Sequence, residues 1–200
     1  MKITLTKDTA TPHLRRLLEQ ARSPRTARTL LGAGSKAVQV GISRHLRALQ
    51  ARGNAKGWPS QKFFAGKATS VEKTVGVSGY TDHSVTVSIA DPRFVHRLQG
   101  GTVKAKRSKY LAIPLTAEAY ALSGKGSLKQ SAPGLQIVRA KRGIYLARPE
   151  GSASTGRMVF LFKLVPTVTH SPHPEEAPDE NALAAAGLAG METAAQRLLA

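Results

Sequence analysis

The first quarter of the chain carries apolar residues at helical spacing. A first helix is predicted over PHLRRLLEQAR, where Pro12 suits the first turn and three leucines form one stripe: Leu14, Leu17 and Leu18. Ser23-Pro24 interrupts this stripe. A longer helix is predicted from Pro24 to Arg52, ended by Gly53, because apolar residues again recur on one face: Val38, Ile42, Leu46 and Leu49. Four cations lie off that stripe and form a basic helix face: Lys36, Arg44, Arg47 and Arg52.

From Val71 the period changes to one typical of strands. VEKTVGVSG and SVTVSIAD are rich in valine, and GYTDH between them predicts a hairpin. Further strands are predicted at YLAIPL, LQIVRA, GIYLAR and MVFLFKLV, and the last is nearly continuously apolar, which indicates a central position in the sheet. After the first of these, Thr116 is expected to cap a short helix, AEAYALS, and residues 124–134 form a loop rich in glycine, serine and proline.

The residues after Val168 differ in character from the body, residues 1–168. The stretch 169–182 is rich in proline and acid and predicts an extended linker, while the alanine-rich stretch 183–200 predicts a helix or tail weakened by its glycines. Such a helix packs on its own body or on a neighbouring copy, and we expect residues 169–200 to be dispensable for folding. The predicted fold class is α+β: two N-terminal helices packed on an antiparallel sheet of about five to six strands, with an extended C-terminal tail.

The composition gives the body a large positive charge. The chain has 200 residues, no cysteine and a formal net charge of +18. Because 29 of the 30 lysines and arginines but only 7 of the 12 acidic residues precede Glu175, that part has a net charge of +22. Such an excess attracts polyanions, either nucleic acid or an acidic protein surface. The N-terminus does not resemble a signal peptide and no apolar run reaches about 18 residues, so no membrane partner is predicted.

The motifs argue against catalysis. GAGSKA (32–37) fits a dinucleotide-binding pattern only loosely, because no strand precedes it and the next acid is Glu72. The histidines of HSPH (170–173) are separated by proline and lack a nearby third ligand, so a solvated linker is favoured over a metal site. Neither a Ser/His/Asp set nor paired carboxylates can be assembled from the spacing. We therefore predict a non-enzymatic protein with no metal or cofactor.

One segment, RLQGGTVKAKRSKYLAIPL (97–115), joins a turn, dense positive charge and a strand. Its glycine pair allows a tight turn. Its cations are expected either to contact phosphates or an acidic neighbouring protein, or to be solvated in a hairpin loop without a partner. The candidate residues of this segment are Gly100, Gly101, Lys104, Lys106, Arg107 and Lys109. Nearby in sequence, Trp58, Phe63 and Phe64 are interpreted as anchors to the core, with base stacking among cations as the alternative.

Segment 97–115 resembles a motif of the phage virion morphogenesis proteins, the tail-completion group typified by Mu-like phages. In that family a glycine pair, a basic segment and a strand similar to KYLAIP follow in this order. LRALQARGNAKGWPSQKFF (46–64) and VFLFKLV (159–165) are similar to the family as well, so the resemblance extends from Ser35 to Val168. Family members often continue the last strand into V-x-I-P-x-R-P, from which VPTVTHSPHPEEAP departs, and this leaves the contacts of the C-terminal tail open.

The resemblance implies a structural protein of a tailed phage or prophage, found in the virion and, during assembly, in the host cytoplasm. Its implied role is tail completion or head–tail joining as a multi-copy ring component. The implied partners are other copies of itself and neighbouring tail or neck proteins, with DNA close by. The alternative is a free basic nucleic-acid-binding protein, which is expected to bind duplex as a monomer with a steep salt dependence.

Overall fold

The computed structural model describes Glu19 and residues 23–59, 61–106, 108–123, 128, 132–150 and 157–199. Within them the fold is α+β with antiparallel sheets, as predicted. The first predicted helix, 12–22, lies outside the described residues apart from Glu19. The helices are α1 (Pro24–Ala51), α2 (Pro92–Gln99), α3 (Ala117–Ser123) and α4 (Glu180–Leu199), with 3-10 turns at Val71–Thr74 and Pro174–Glu176. The strands are β1 (Val75–Tyr80), β2 (Val85–Ile89), β3 (Gly101–Lys104), β4 (Leu111–Pro114), β5 (Gln136–Ala140), β6 (Gly143–Pro149), β7 (Met158–Val165) and β8 (Thr167–His170).

The chain divides into two compact units. We call the first the helical unit; it comprises the described residues of 1–48, 68–90 and 178–200 and contains most of α1, the hairpin β1–β2 and α4. We call the second the sheet unit; it comprises the described residues of 49–67 and 91–177 and contains the other helices and strands. The described residues of 178–200 belong to the same unit as most of α1, and the predicted division into body, linker and tail stays a prediction.

Helix α1 begins at the predicted residue, Pro24, and ends at Ala51, one residue before the predicted end at Arg52. The Oγ of Ser23 accepts a hydrogen bond from the backbone N–H of Thr26 at 3.2 Å, and Pro24 occupies the first helical position. The helix ends at Ala51, and Gly53 follows with a φ of +73°, a conformation that favours glycine. On the predicted apolar stripe, Ile42 and Leu46 are buried within the helical unit.

The alanine-rich C-terminal stretch forms α4, which packs along α1. Its first turn is capped by Asp179, whose Oδ1 accepts a hydrogen bond from the N–H of Asn181 at 2.9 Å. A Cβ atom built on Gly190 would lie 2.7 Å from the Cβ of Ala37, and one on Gly187 would lie 3.2 Å from Val38. The glycines that weaken an isolated helix therefore permit this close approach. Of the two packing arrangements left open by the sequence, the structure has the helix on its own chain.

The hairpin predicted between residues 71 and 91 is confirmed. Strands β1 and β2 pair antiparallel, with Val75 opposite Ile89 and Tyr80 opposite Val85. The first strand begins later than the predicted segment because Val71–Thr74 forms a 3-10 turn. Val71 is fully buried there and attaches the hairpin to the core of the helical unit.

In place of the single predicted sheet of five to six strands, the described strands form three separate sheets. The hairpin is one, β3 and β8 form a two-stranded ribbon, and the third has the order β4-β7-β6-β5. Strand β7 lies between β4 and β6, so its predicted central position is confirmed. Helix α3, capped by the Oγ1 of Thr116 at 3.1 Å from the N–H of Ala119, contributes to the core of this sheet together with Leu161 and Phe162.

The sequence did not predict α2, β3 or β8. The start of α2 carried a recognisable signal, since Asp91 caps it and Pro92 is its first residue. The ribbon of β3 and β8 had no recognisable sequence signal, because its paired residues are far apart in sequence: Gly101 pairs with His170 and Lys104 with Thr167. Strand β8 takes in the first residues of the predicted 169–182 linker. A short polar strand of this kind is stable only when its partner is present.

Candidate polyanion-facing surfaces

The basic segment between β3 and β4 joins two paired strands. Lys104 is the last residue of β3, which pairs with β8, and Leu111 is the first residue of β4, which pairs with β7. Lys104, Lys106 and Lys109 are exposed. Arg107 lies outside the described residues. The Oγ of Ser108 donates a hydrogen bond to the carbonyl of Tyr110 at 2.6 Å, and the Nζ of Lys109 lies 5.7 Å from the Tyr110 ring.

The ion pairs of the described residues leave the lysines of this segment unneutralised. Every acid between residues 23 and 174 pairs with an arginine: Glu72 with Arg47, Asp82 with Arg28, Asp91 with Arg93, Glu118 with Arg148 and Glu150 with Arg157. Among the described residues, Lys104, Lys106 and Lys109 form no ion pair. The positive potential of the segment is therefore not cancelled by local carboxylates.

The glycine pair of the segment has a structural requirement of its own. Gly100 follows α2 with a φ of +70°, and Gly101 opens β3 with a φ of +133°. A Cβ atom on Gly100 would lie 2.7 Å from the backbone nitrogen of Pro172, and one on Gly101 would lie 3.0 Å from the Cε1 of His96. Both positions thus require glycine for conformation and for space. The pair ends α2 and begins the ribbon, so it sets where the basic segment starts.

Three of the four residues of the predicted basic helix face lie together. Lys36, Arg44 and Arg47 line one shallow groove of the helical unit beside Val40, which is 51% exposed. Arg47 is held by Glu72 at 2.6 Å, whereas Lys36 and Arg44 form no ion pair among the described residues. Arg52 does not belong to this helix face, because α1 ends at Ala51 and Arg52 lies in the turn that follows.

Sequence reasoning missed a cleft in the sheet unit that gathers three histidines: His96, His170 and His173. The aromatic residues around it were predicted as core anchors, and Phe64 does pack against buried Phe94, with ring centroids 6.3 Å apart. Trp58 contacts Tyr120 in the same unit, at 5.4 Å. The sequence drew attention to His170 and His173 through HSPH but favoured a solvated linker there, and it gave no signal for His96, which comes from α2.

One group of side chains has the spacing of metal ligands. Atoms of His173, Glu175 and Glu176 lie within 4.8 Å of one another. The contact with the His173 imidazole, 2.9 Å from the Glu175 carboxylate, lowers the pKa of Glu175. Arg97 holds Glu176 through both carboxylate oxygens, and this hydrogen bonding raises the pKa of the Arg97 guanidinium. The second histidine of HSPH thus has partners that the sequence did not predict, although Arg97 already neutralises one of the two carboxylates.

Comparisons with protein-family models, with curated proteins and with solved structures found no match. The resemblance to the phage morphogenesis family therefore stays a prediction. No helix among the described residues is both long and apolar enough to cross a membrane.

Proposed function

We propose that the chain is a structural assembly protein of a tailed phage or prophage, acting in tail completion or head–tail joining as a multi-copy ring component. The observation that carries the proposal is the three exposed lysines of the basic segment, Lys104, Lys106 and Lys109, which have no acidic partner within the described residues. The strands on either side of the segment pair with β8 and with β7, and this supports a defined position for its charge. The sequence resemblance supports the same role.

The segment is proposed to face DNA or an acidic neighbouring subunit. A folded protein gains nothing for its own stability from clustered like charges, since they repel one another. Their retention on the segment is explained by a polyanionic partner outside the subunit. The groove beside Lys36 and Arg44 offers further positive charge to the same class of partner.

The test is the combined substitution of Lys104, Lys106, Arg107 and Lys109 by alanine. The stability of the subunit should change by less than about 0.5 kcal/mol, since exposed substitutions rarely cost more. Particle assembly or DNA retention should fall in a complementation assay with a phage that lacks the gene. Normal yields of infectious particles from this variant would reject the interface role.

A matched control removes the same number of charges elsewhere. Lys73, Arg139, Lys141 and Arg142 are exposed cations outside the segment. Their combined substitution by alanine should leave assembly intact. Equal defects in both variants would mean that total charge matters and the segment does not.

The second candidate function, a free nucleic-acid-binding protein, is favoured by the net charge of +18 alone. It predicts tight binding of duplex DNA by an isolated monomer. A plot of the logarithm of the binding constant against the logarithm of the salt concentration should be steep, and its slope should become shallower by about 0.9 for each phosphate contact removed. The assembly proposal predicts discrete oligomers or incorporation into particles. Analytical ultracentrifugation combined with a salt titration of duplex binding separates the two.

A further inference from the structure

The cleft in the sheet unit has the size and lining of a small-molecule site. Its volume is about 560 Å³, within the range of ligand pockets in proteins. Five basic or protonatable side chains line it: Arg93, Arg97, His96, His170 and His173. Phe63, Phe64 and Tyr120 supply aromatic surface. Among the described residues that line the cleft, none is acidic.

Each of the two arginines that line the cleft is held by a carboxylate that does not line it. Asp91, almost fully buried, pairs with Arg93 at 2.5 Å, and Glu176 holds Arg97 through two hydrogen bonds. The guanidinium of Arg93 lies 5.5 Å from the Phe63 ring and that of Arg97 lies 5.4 Å from the Phe64 ring. The pair with Glu176 engages two of the five N–H donors of Arg97, so three remain for another acceptor. Fixed donors lose less entropy when a ligand binds.

His96 contributes a nitrogen that needs a partner. Its Nε2 is buried and has no hydrogen-bond partner among the described residues. The ring packs edge-to-face against His170, with centroids 5.9 Å apart, and its Cε1 lies against the backbone of Gly101. A buried polar atom without a partner is costly. Because Nε2 is enclosed in the ring position described, an anionic oxygen in the cleft would accept its N–H only after the imidazole turns toward the cleft.

We propose that this cleft binds a nucleoside monophosphate, either free or at the end of a DNA strand. The phosphate lies against Arg97 and His96, and the base lies against the aromatic residues of the lining, of which Tyr120 has no guanidinium group over its ring among the described contacts. A metal ion is disfavoured because two guanidinium groups line the cleft and no carboxylate residue does. Inorganic phosphate alone would leave most of the volume and the aromatic surface unused. This proposal does not depend on a role in the virion.

The test is calorimetric titration of the full-length chain with dAMP and with inorganic phosphate, at about 150 mM salt so that long-range attraction is screened. We expect saturable binding of dAMP at one site and at least 10-fold weaker binding of inorganic phosphate. No saturable binding of dAMP, or equal affinity for the two ligands, would overturn the proposal.

Two variants locate the site without leaving an unpaired charge. The double substitution Arg97→Gln and Glu176→Gln removes the guanidinium and its partner together, and should weaken dAMP binding about 10-fold or more. The double substitution Arg148→Gln and Glu118→Gln removes an equivalent ion pair of the sheet unit that does not line the cleft, and should leave binding unchanged. Equal affinities in the two double variants would show that binding occurs elsewhere.

A single substitution tests His96 separately. In His96→Phe an aromatic ring is kept at this position and the unpartnered nitrogen is lost, so the variant should fold while its binding of dAMP weakens. Unchanged binding by a folded His96→Phe variant would remove His96 from the site.

The two sources of the ligand are distinguished by short single-stranded oligonucleotides with a 5′-phosphate or a 5′-hydroxyl. If the ligand is the end of a DNA strand, the oligonucleotide with a 5′-phosphate should bind more tightly than the one with a 5′-hydroxyl. This difference in affinity should disappear in the Arg97→Gln, Glu176→Gln double variant. Equal binding of the two oligonucleotides together with saturable dAMP binding assigns the cleft to free nucleotides.

Discussion

The α1–α4 contact of the helical unit and the core of the sheet unit are packed in opposite ways. In the helical unit, α1 and α4 meet through residues with little or no side chain: Ala33, Gly34, Ala37, Gly187 and Gly190. In the sheet unit, the most buried side chains are large and apolar: Phe94, Leu161 and Phe162. Close backbone approach is therefore a feature of the α1–α4 contact, whereas the rest of the helical unit buries large side chains such as Leu46 and Val71. The α1–α4 contact should be sensitive to added atoms and the core of the sheet unit to removed ones.

The largest effect is expected from removing α4 by truncation after Ala177. Because α4 covers the small-residue face of α1, its loss should expose that face and destabilise the helical unit. Amide hydrogen exchange should become faster along α1 and the β1–β2 hairpin. This revises the expectation that the C-terminal residues are dispensable for folding. Unchanged protection of α1 would restore that expectation.

Removing atoms from the sheet unit should have the next largest effect. Phe162 is fully buried on β7, so Phe162→Ala should lower the free energy of unfolding by about 3–5 kcal/mol, measured by urea denaturation. Phe160, on the same strand, is 39% exposed and serves as the control, with an expected loss of about 1 kcal/mol. Similar losses for the two variants would contradict the assigned core.

Adding a single methyl group should separate two glycines of the helical unit. Gly190→Ala places a Cβ 2.7 Å from that of Ala37 and should lower the free energy of unfolding by about 1–3 kcal/mol. A Cβ built on Gly32, by contrast, would meet no tertiary neighbour within 4 Å. Gly32→Ala should therefore stabilise α1 by about 0.5–1 kcal/mol through helix propensity. Thermal denaturation should show shifts of opposite sign. Shifts of the same sign would mean that α4 does not pack as closely as the structure shows.

Acid should act on the sheet unit through Asp91, the one buried acid among the described residues. Hydrogen bonds from the Arg93 side chain hold the pKa of Asp91 below its ordinary value of 3.8. Its stabilising contribution is therefore complete above that value and is lost as the pH falls through the lowered pKa of the folded state. Asp91→Asn should cost about 1–2 kcal/mol at pH 6 and less at pH 2.5. A cost that does not change with pH would show that only the helix cap matters.

Local signals were sufficient for the elements that carry their own boundaries. Ser23-Pro24 and Gly53 fix the ends of α1, Thr116 caps α3, and the continuous apolar run of β7 indicates its central place. These predictions succeeded because caps, turns and periodicity depend on residues within a few positions of one another. The basic segment was found for the same reason, since its cations are adjacent in sequence.

The arrangement of these elements depended on contacts between distant residues. The division into three sheets follows from pairings such as Gly101 with His170, which no local pattern encodes. The glycines of α4 weaken the helix in isolation and permit close packing once α1 is present. The cleft exists only because α2, the residues after α1 and the end of β8 meet. The sequence paired His170 only with His173, and the folded chain brings His96 of α2 to the same cleft.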